Sequence, residues 1–203
     1  MSRWLLLALL WTVSPGAAAE AVILVMGDSL SAGYGVPRES RWTALLEQRL
    51  RERGLAYRVV NAAITGDTTR GGLSRLPQAL ARHEPNILVI ALGGNDGLRA
   101  IPAREMRENL SRMVALGREA GAKVLLVGVR LPPNYGAAFT RLFAESYRQV
   151  AHETGAPLVP RILDKVGERP ELMQDDGIHP NEDAQPLILD NIWEGLRPLL
   201  DDT

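Results

Sequence analysis

Not one cysteine occurs in the chain. That excludes a disulfide scaffold, a thiol nucleophile, a lipid-modified N-terminal cysteine and any Cys-ligated metal. It leaves the compartment open, because a domain of this size folds without covalent staples. Neither sign of charge is in excess: 23 basic and 24 acidic residues give a formal net charge of −1, so no global pull toward nucleic acid or anionic membrane is expected. Long hydrophobic runs are missing too. The apolar stretch from Trp4 to Val13 is too short to cross a hydrocarbon core of ~30 Å at ~1.5 Å per residue. No internal repeat and no low-complexity segment interrupts the chain. The zincin His-Glu-x-x-His pattern, the phosphate loop and the EF-hand loop are all absent, and Gly33-Tyr34-Gly35 runs into Val36-Pro37-Arg38, which breaks the dinucleotide fingerprint. No metal or cofactor is indicated.

The first 19 residues have the layout of a secretory signal: Arg3, then the apolar stretch, then Ala17-Ala18-Ala19 as a small-residue cleavage site. Cleavage after Ala19 leaves one domain over residues 20–203 and a protein exported to the periplasm or released. Its formal charge is then −2, from 22 basic and 24 acidic residues once Arg3 is gone.

Ala21–Met26, Tyr57–Asn61, Asn86–Leu92, Lys123–Val129 and Pro157–Pro160 are short apolar runs without alternation. Strands buried on both faces of a parallel sheet have that signature. Helical stripes separate them. Trp42, Leu45, Leu46 and Leu50 form one, with Ser40 as the expected N-cap and Gly54 as its stop. Met106, Leu110, Met113 and Val114 form another, between Pro102 and Gly121. Residues 137–154 and 184–199 read as two more. His83 is expected to cap the end of a further helical segment, and His152 to sit on a helix surface near its end. Strand–helix alternation implies a doubly wound α/β sheet with right-handed crossovers.

Such sheets bind ligands beyond the carboxyl ends of their strands, where several chemically capable residues would converge. Ser29 follows the first strand, Gly66 the second, Asn95 the third and His179 the fifth. A serine hydroxyl requires an adjacent base to act as a nucleophile. The alternative for Ser29 is a cap or turn residue, and the nucleophile elbow is ruled out because Ser31 stands where it needs glycine. Of the three histidines, His179 alone sits in a loop behind a carboxylate. Asp176, three residues earlier, can accept from Nδ1–H and leave Nε2 for the serine proton. An Asx-turn beside a bystander histidine is the competing reading, and Asp175 is the alternative acid, less favoured by spacing. Gly66, Asn95 and the Ser29 N–H are candidate donors to an oxyanion; Asp28 and Asp96 read as capping and hydrogen-bonding scaffolding. Tyr34, Tyr135 and Phe139 are candidate pocket aromatics.

Together these segments resemble the SGNH hydrolases, the GDSL esterase/lipase family, over essentially the whole chain after the signal. The stretches carrying the resemblance are Met26–Gly35, Val60-Asn61-Ala62 with Gly66-Asp67-Thr68, Leu92–Leu98, Leu131–Gly136 and Asp175–Pro180. They are most similar to the exported bacterial thioesterase/lysophospholipase/arylesterase subgroup; Thr65 stands where those relatives are expected to carry serine. The resemblance implies a flavodoxin-like three-layer α/β/α fold with a central parallel five-stranded sheet. It also implies cofactor-free hydrolysis of esters and thioesters through an acyl-enzyme on Ser29, with His179 as base, Asp176 orienting it, and Ser29, Gly66 and Asn95 as the oxyanion hole. Pro133, Asn134 and Tyr135 would bind the acyl group. The expected partners are small acyl thioesters, lysophospholipids and aryl or alkyl esters, met by a monomer with no nucleic acid and no stable membrane insertion. Carbohydrate O-deacetylation is the alternative chemistry. A non-catalytic envelope-binding protein is the alternative class, although such a protein would be expected to have lost a site residue and none is missing.

Overall fold

The apolar runs form five parallel strands: β1 (Ala21–Gly27), β2 (Tyr57–Asn61), β3 (Ile87–Ala91), β4 (Lys123–Val127) and β5 (Leu158–Val159). Their order across the sheet is β2-β1-β3-β4-β5, the flavodoxin-like arrangement. In register, Val25 pairs with Asn61 on one side and Val89 on the other. The computed structural model describes residues 20–200, so the expected signal segment 1–19 lies outside the described residues.

Seven α-helices flank the sheet: α1 (Ser29–Ala32), α2 (Trp42–Glu52), α3 (Thr69–His83), α4 (Gly94–Leu98), α5 (Ala103–Glu119), α6 (Ala137–Thr154) and α7 (Gln185–Leu196), among the described residues. Alternate strand side chains feed two separate cores. Ile23, Val25, Val89 and Leu125 pack with Trp42, Leu46 and Leu50 of α2 and Ile188 and Ile192 of α7. Leu24, Met26, Leu88 and Ile90 turn to the other face, against Leu76 of α3, Met106, Leu110 and Met113 of α5 and Phe143 of α6. Burial on both faces is the physical reason β1, β3 and β4 carry no polar alternation, whereas the edge strand β2 exposes Arg58 and Asn61.

Several boundaries differ from the sequence expectation. The third, fourth and fifth strands are shorter than their apolar runs, because pairing stops before the apolar residues do; β5 keeps only two ladder residues. Helix α2 is preceded by Arg41, not capped by Ser40. Ser40 closes a 3-10 turn and donates its hydroxyl to Glu182 Oε1 at 2.5 Å. Glu84, at φ 42°, caps α3 in place of His83. The last helix ends at Leu196 and continues as a 3-10 turn, Arg197–Leu199. No helix among the described residues is long and apolar enough to cross a membrane.

The strand order reverses between β1 and β3, which opens a crevice at their carboxyl ends. The turns leaving these two strands carry Ser29 and Asn95.

Candidate active site

Asp28 lies between β1 and α1, as the N-cap of α1. Its Oδ1 accepts the Leu30 N–H at 3.1 Å, an N-cap that fixes the turn on which Ser29 is the first helical residue. The capping role read for Asp28 is therefore seen, one residue ahead of the serine. This carboxyl is buried, and burial pushes its pKa up to about 6 against the opposing pull of the Leu30 N–H and the nearby His179.

His179 approaches from the far end of the chain. Its Nε2 lies 2.9 Å from Ser29 Oγ, and its Nδ1 lies 2.6 Å from Asp176 Oδ2. With Nδ1–H donating to the carboxylate, Nε2 is left to accept the serine proton. It is Asp176, and not Asp175, that meets the ring. The Asx-turn is present as well: Asp176 Oδ1 accepts the N–H groups of Ile178 and His179, both at 2.9 Å. The two readings describe one carboxylate, with one oxygen holding the turn and the other the imidazole. Accepting from the ring and from these backbone groups depresses the Asp176 pKa to about 2.

The loop is anchored on both sides. Met173 and Pro180 form an antiparallel bridge, and the Gln174 N–H donates to the His179 carbonyl at 2.7 Å. Gln174 Nε2 donates to the carbonyls of Tyr34 and Pro180 at 2.8 and 2.9 Å, tying the histidine loop to the segment after α1. The Tyr34 ring, half exposed, sits 4.6 Å from the imidazole between centroids.

The two further electrostatic candidates line the same cavity as Ser29 and His179. Asn95 lies in α4, and its Nδ2 donates one hydrogen to the Asp67 carbonyl at 3.0 Å; an amide has a second. Gly66 adopts φ 80°, where a side chain is strained, and its carbonyl accepts from Arg99 Nη2 at 2.9 Å. Asp67 is itself held by Arg75, whose Nε reaches Oδ2 at 2.8 Å and whose Nη1 donates to the Ala62 carbonyl at 2.5 Å. Deeper still, buried Asp96 accepts the Thr69 N–H at 2.8 Å and the Thr69 hydroxyl, fixing the start of α3. That is the scaffolding role read for it. Burial raises its pKa.

The cavity measures about 520 Å³, with Leu30, Leu98, Leu131, Pro132, Leu163 and Met173 among its lining. The loop after β4 contributes Leu131 and Pro132. Asn134 and Tyr135, expected as acyl contacts, are not part of that wall. In the 3-10 segment that Pro133 opens, Asn134 is exposed and the Tyr135 hydroxyl donates to the carbonyl of Leu98, itself a lining residue, at 3.3 Å. Arg75, Arg99 and Gln174 went unread in the sequence, since an arginine in a helix and a glutamine in a loop look like solvated surface until their partners are known. No group of side chains suited to holding a metal ion occurs among the described residues.

Known proteins resemble this chain in sequence and in fold. Residues 25–185 match the GDSL-like lipase/acylhydrolase family. Esterase TesA of Pseudomonas aeruginosa is 49% identical over 183 residues, which are 90% of this chain and 91% of the relative. Thioesterase 1/protease 1/lysophospholipase L1 of Escherichia coli K12 is 42% identical over 184 residues, 91% of this chain and 87% of the relative. The crystal structure of a psychrotrophic esterase, EstA from Pseudoalteromonas, inhibited by monoethylphosphonate, superposes with a TM-score of 0.83 at 37% identity, covering 87% of this chain and 97% of that one.

Proposed function

The chain belongs to the GDSL-like lipase/acylhydrolase family, and on that footing we propose that it is an exported serine hydrolase cleaving carboxylic esters and thioesters, among them acyl thioesters and lysophospholipids. The observation that carries the reading is the unbroken chain Ser29 Oγ–His179 Nε2 and Nδ1–Asp176 Oδ2, at 2.9 and 2.6 Å, opening into a largely apolar cavity.

Ser29 Oγ attacks the acyl carbon while its proton passes to His179 Nε2. Asp176 holds the ring in the competent tautomer and stabilises the imidazolium. The oxyanion takes donors from the Ser29 N–H, the Gly66 N–H and the Asn95 amide. As the tetrahedral intermediate collapses, the bond to the leaving oxygen or sulfur breaks and His179 returns the proton to it. Water, deprotonated by the same imidazole, then attacks the acyl-serine and releases the acid. The apolar lining suits an acyl chain better than a sugar.

The test is hydrolysis of p-nitrophenyl esters from acetyl to palmitoyl by residues 20–203 and by the Ser29→Ala variant. Turnover peaking beyond acetyl and lost with Ser29 is the expected result, together with covalent labelling of Ser29 by a fluorophosphonate probe. Undiminished turnover in Ser29→Ala refutes the assignment.

A further inference from the structure

A second cavity, of about 620 Å³, adjoins the first and shares Val129, Arg130 and Arg161 with it. Arg141 and Arg148 of α6 line it too, seven residues apart and so two turns along one helix face. All four arginines are exposed. The acids in the lining are Asp164 and Glu194, so the groove carries four guanidinium groups against two carboxylates.

The existing ion pairs leave donors to spare. Arg161 meets Asp164, Arg130 meets Glu168 at 3.4 Å, and Arg148 meets Glu145 at 3.1 Å. Glu168 and Glu145 lie outside this lining. Arg141 makes no ion pair among the described residues. A guanidinium offers five N–H donors in a planar fork that matches phosphate oxygens, so a pair to one carboxylate oxygen does not saturate it.

We propose that this groove is an anion subsite for phosphoryl groups on the leaving-group side of the substrate. The inference rests on the acyl-hydrolase reading above. The aliphatic wall of the first cavity takes the acyl chain. The leaving alcohol or thiol then extends past Arg130 and Arg161 into the groove between α6 and the ends of β4 and β5. Arginines drawn from α6 and from the segments after β4 and β5 suit a multiply charged group with several oxygens better than a single carboxylate, which one fork satisfies. The phosphoryl group belongs either to a nucleotide thioester or to a lysophospholipid headgroup.

Two substrate pairs separate these sources. Octanoyl-coenzyme A is compared with octanoyl-N-acetylcysteamine, and 1-decanoyl-lysophosphatidic acid with 1-decanoylglycerol, at low salt and below the micellar threshold. In the Arg141→Gln/Arg148→Gln double variant, the ratio of kcat/KM for the charged substrate to that for its neutral counterpart is expected to fall about tenfold, through KM. Arg104→Gln, at an exposed position of α5, is the control in which the ratio holds. A fall confined to the thioester pair assigns the groove to nucleotides. A fall confined to the lipid pair assigns it to headgroups, and a fall in both assigns it to phosphoryl groups generally. Ratios unchanged in both pairs overturn the proposal. If the protein fails to hydrolyse p-nitrophenyl octanoate, that failure falls on the acyl-hydrolase reading instead. Titration calorimetry with coenzyme A and with lysophosphatidic acid then decides the subsite: a Kd for either that weakens about tenfold in the double variant supports it, and equal affinities for both refute it.

Discussion

Arg75 holds Asp67 through Nε, which donates to Oδ2 at 2.8 Å, while Nη2 lies at the same distance from that oxygen as an ion-pair contact without a hydrogen bond. The same Asp67 offers its main-chain carbonyl to Asn95 Nδ2. On the proposed mechanism the guanidinium acts on the Asn95 amide through Asp67, as a positioning residue. Asn95→Ala is expected to lower kcat by about 10²–10³, the usual cost of one oxyanion donor. Arg75→Gln is expected to lower kcat by roughly tenfold with little change in KM. The double variant is expected to be no worse than Asn95→Ala alone, since residues acting as a unit are not additive. Full additivity in that cycle rules the relay out.

Asp176→Asn and Asp176→Ala separate the two duties of this carboxylate. An asparagine carbonyl can still accept the Ile178 and His179 N–H groups but favours the wrong imidazole tautomer, so kcat is expected to drop about 10⁴-fold with Tm nearly unchanged. Alanine is expected to lower both kcat and Tm, because the turn loses its acceptor. Steady-state kinetics beside thermal melts read the difference.

Asp28 and Asp176 give opposite pH signatures. Asp28 is raised from 3.8 to about 6, so between those values the native state binds more protons than the unfolded chain. Stability from this group is full below 3.8 and declines as pH rises through 6. Asp28→Asn, which keeps an acceptor for the Leu30 N–H, is expected to abolish that decline and gain on the order of 3 kcal/mol at pH 7. For Asp176, depressed from 3.8 to about 2, stability is present above 3.8 and lost as pH falls toward 2. Chemical denaturation from pH 3 to 8 tests both. A wild-type stability flat from pH 4 to 6 counts against the Asp28 argument.

Gly97 in α4 backs onto the cavity wall. A Cβ there meets Leu131 Cδ2 at 2.5 Å and Phe143 Cε2 at 2.8 Å, and Leu131 lines the cavity. Gly97→Ala is expected to press Leu131 inward and shift the preferred p-nitrophenyl ester to a shorter chain. An unchanged chain-length profile shows that the overlap is relieved elsewhere.

The strands were legible because burial on both faces forces runs such as Ile87–Ala91 to be apolar without alternation. The convergence of Ser29, Gly66, Asn95 and His179 followed from placing each after a strand of a parallel sheet, where topology alone delivers them to one edge. Three things were not legible. The pairing of Arg75 with Asp67 depends on the angle at which α3 leaves its loop. The absence of Asn134 and Tyr135 from the cavity lining goes with a 3-10 turn, which has no strong residue preference here. The burial of Asp28 depends on packing against Gly94 and its neighbours, and a carboxylate in a turn normally implies exposure.

The doubled use of Asp176 bears on how this chemistry can be lost. On the proposed mechanism, replacing Ser29 is expected to silence the reaction while the contacts that hold the histidine loop, from Asp176 and Gln174, stay in place. Replacing Asp176 by a residue without an acceptor undoes the turn that presents His179, so the architecture suffers with the reaction. A lineage that drifts from catalysis toward mere binding is therefore expected to give up its serine first and its aspartate last.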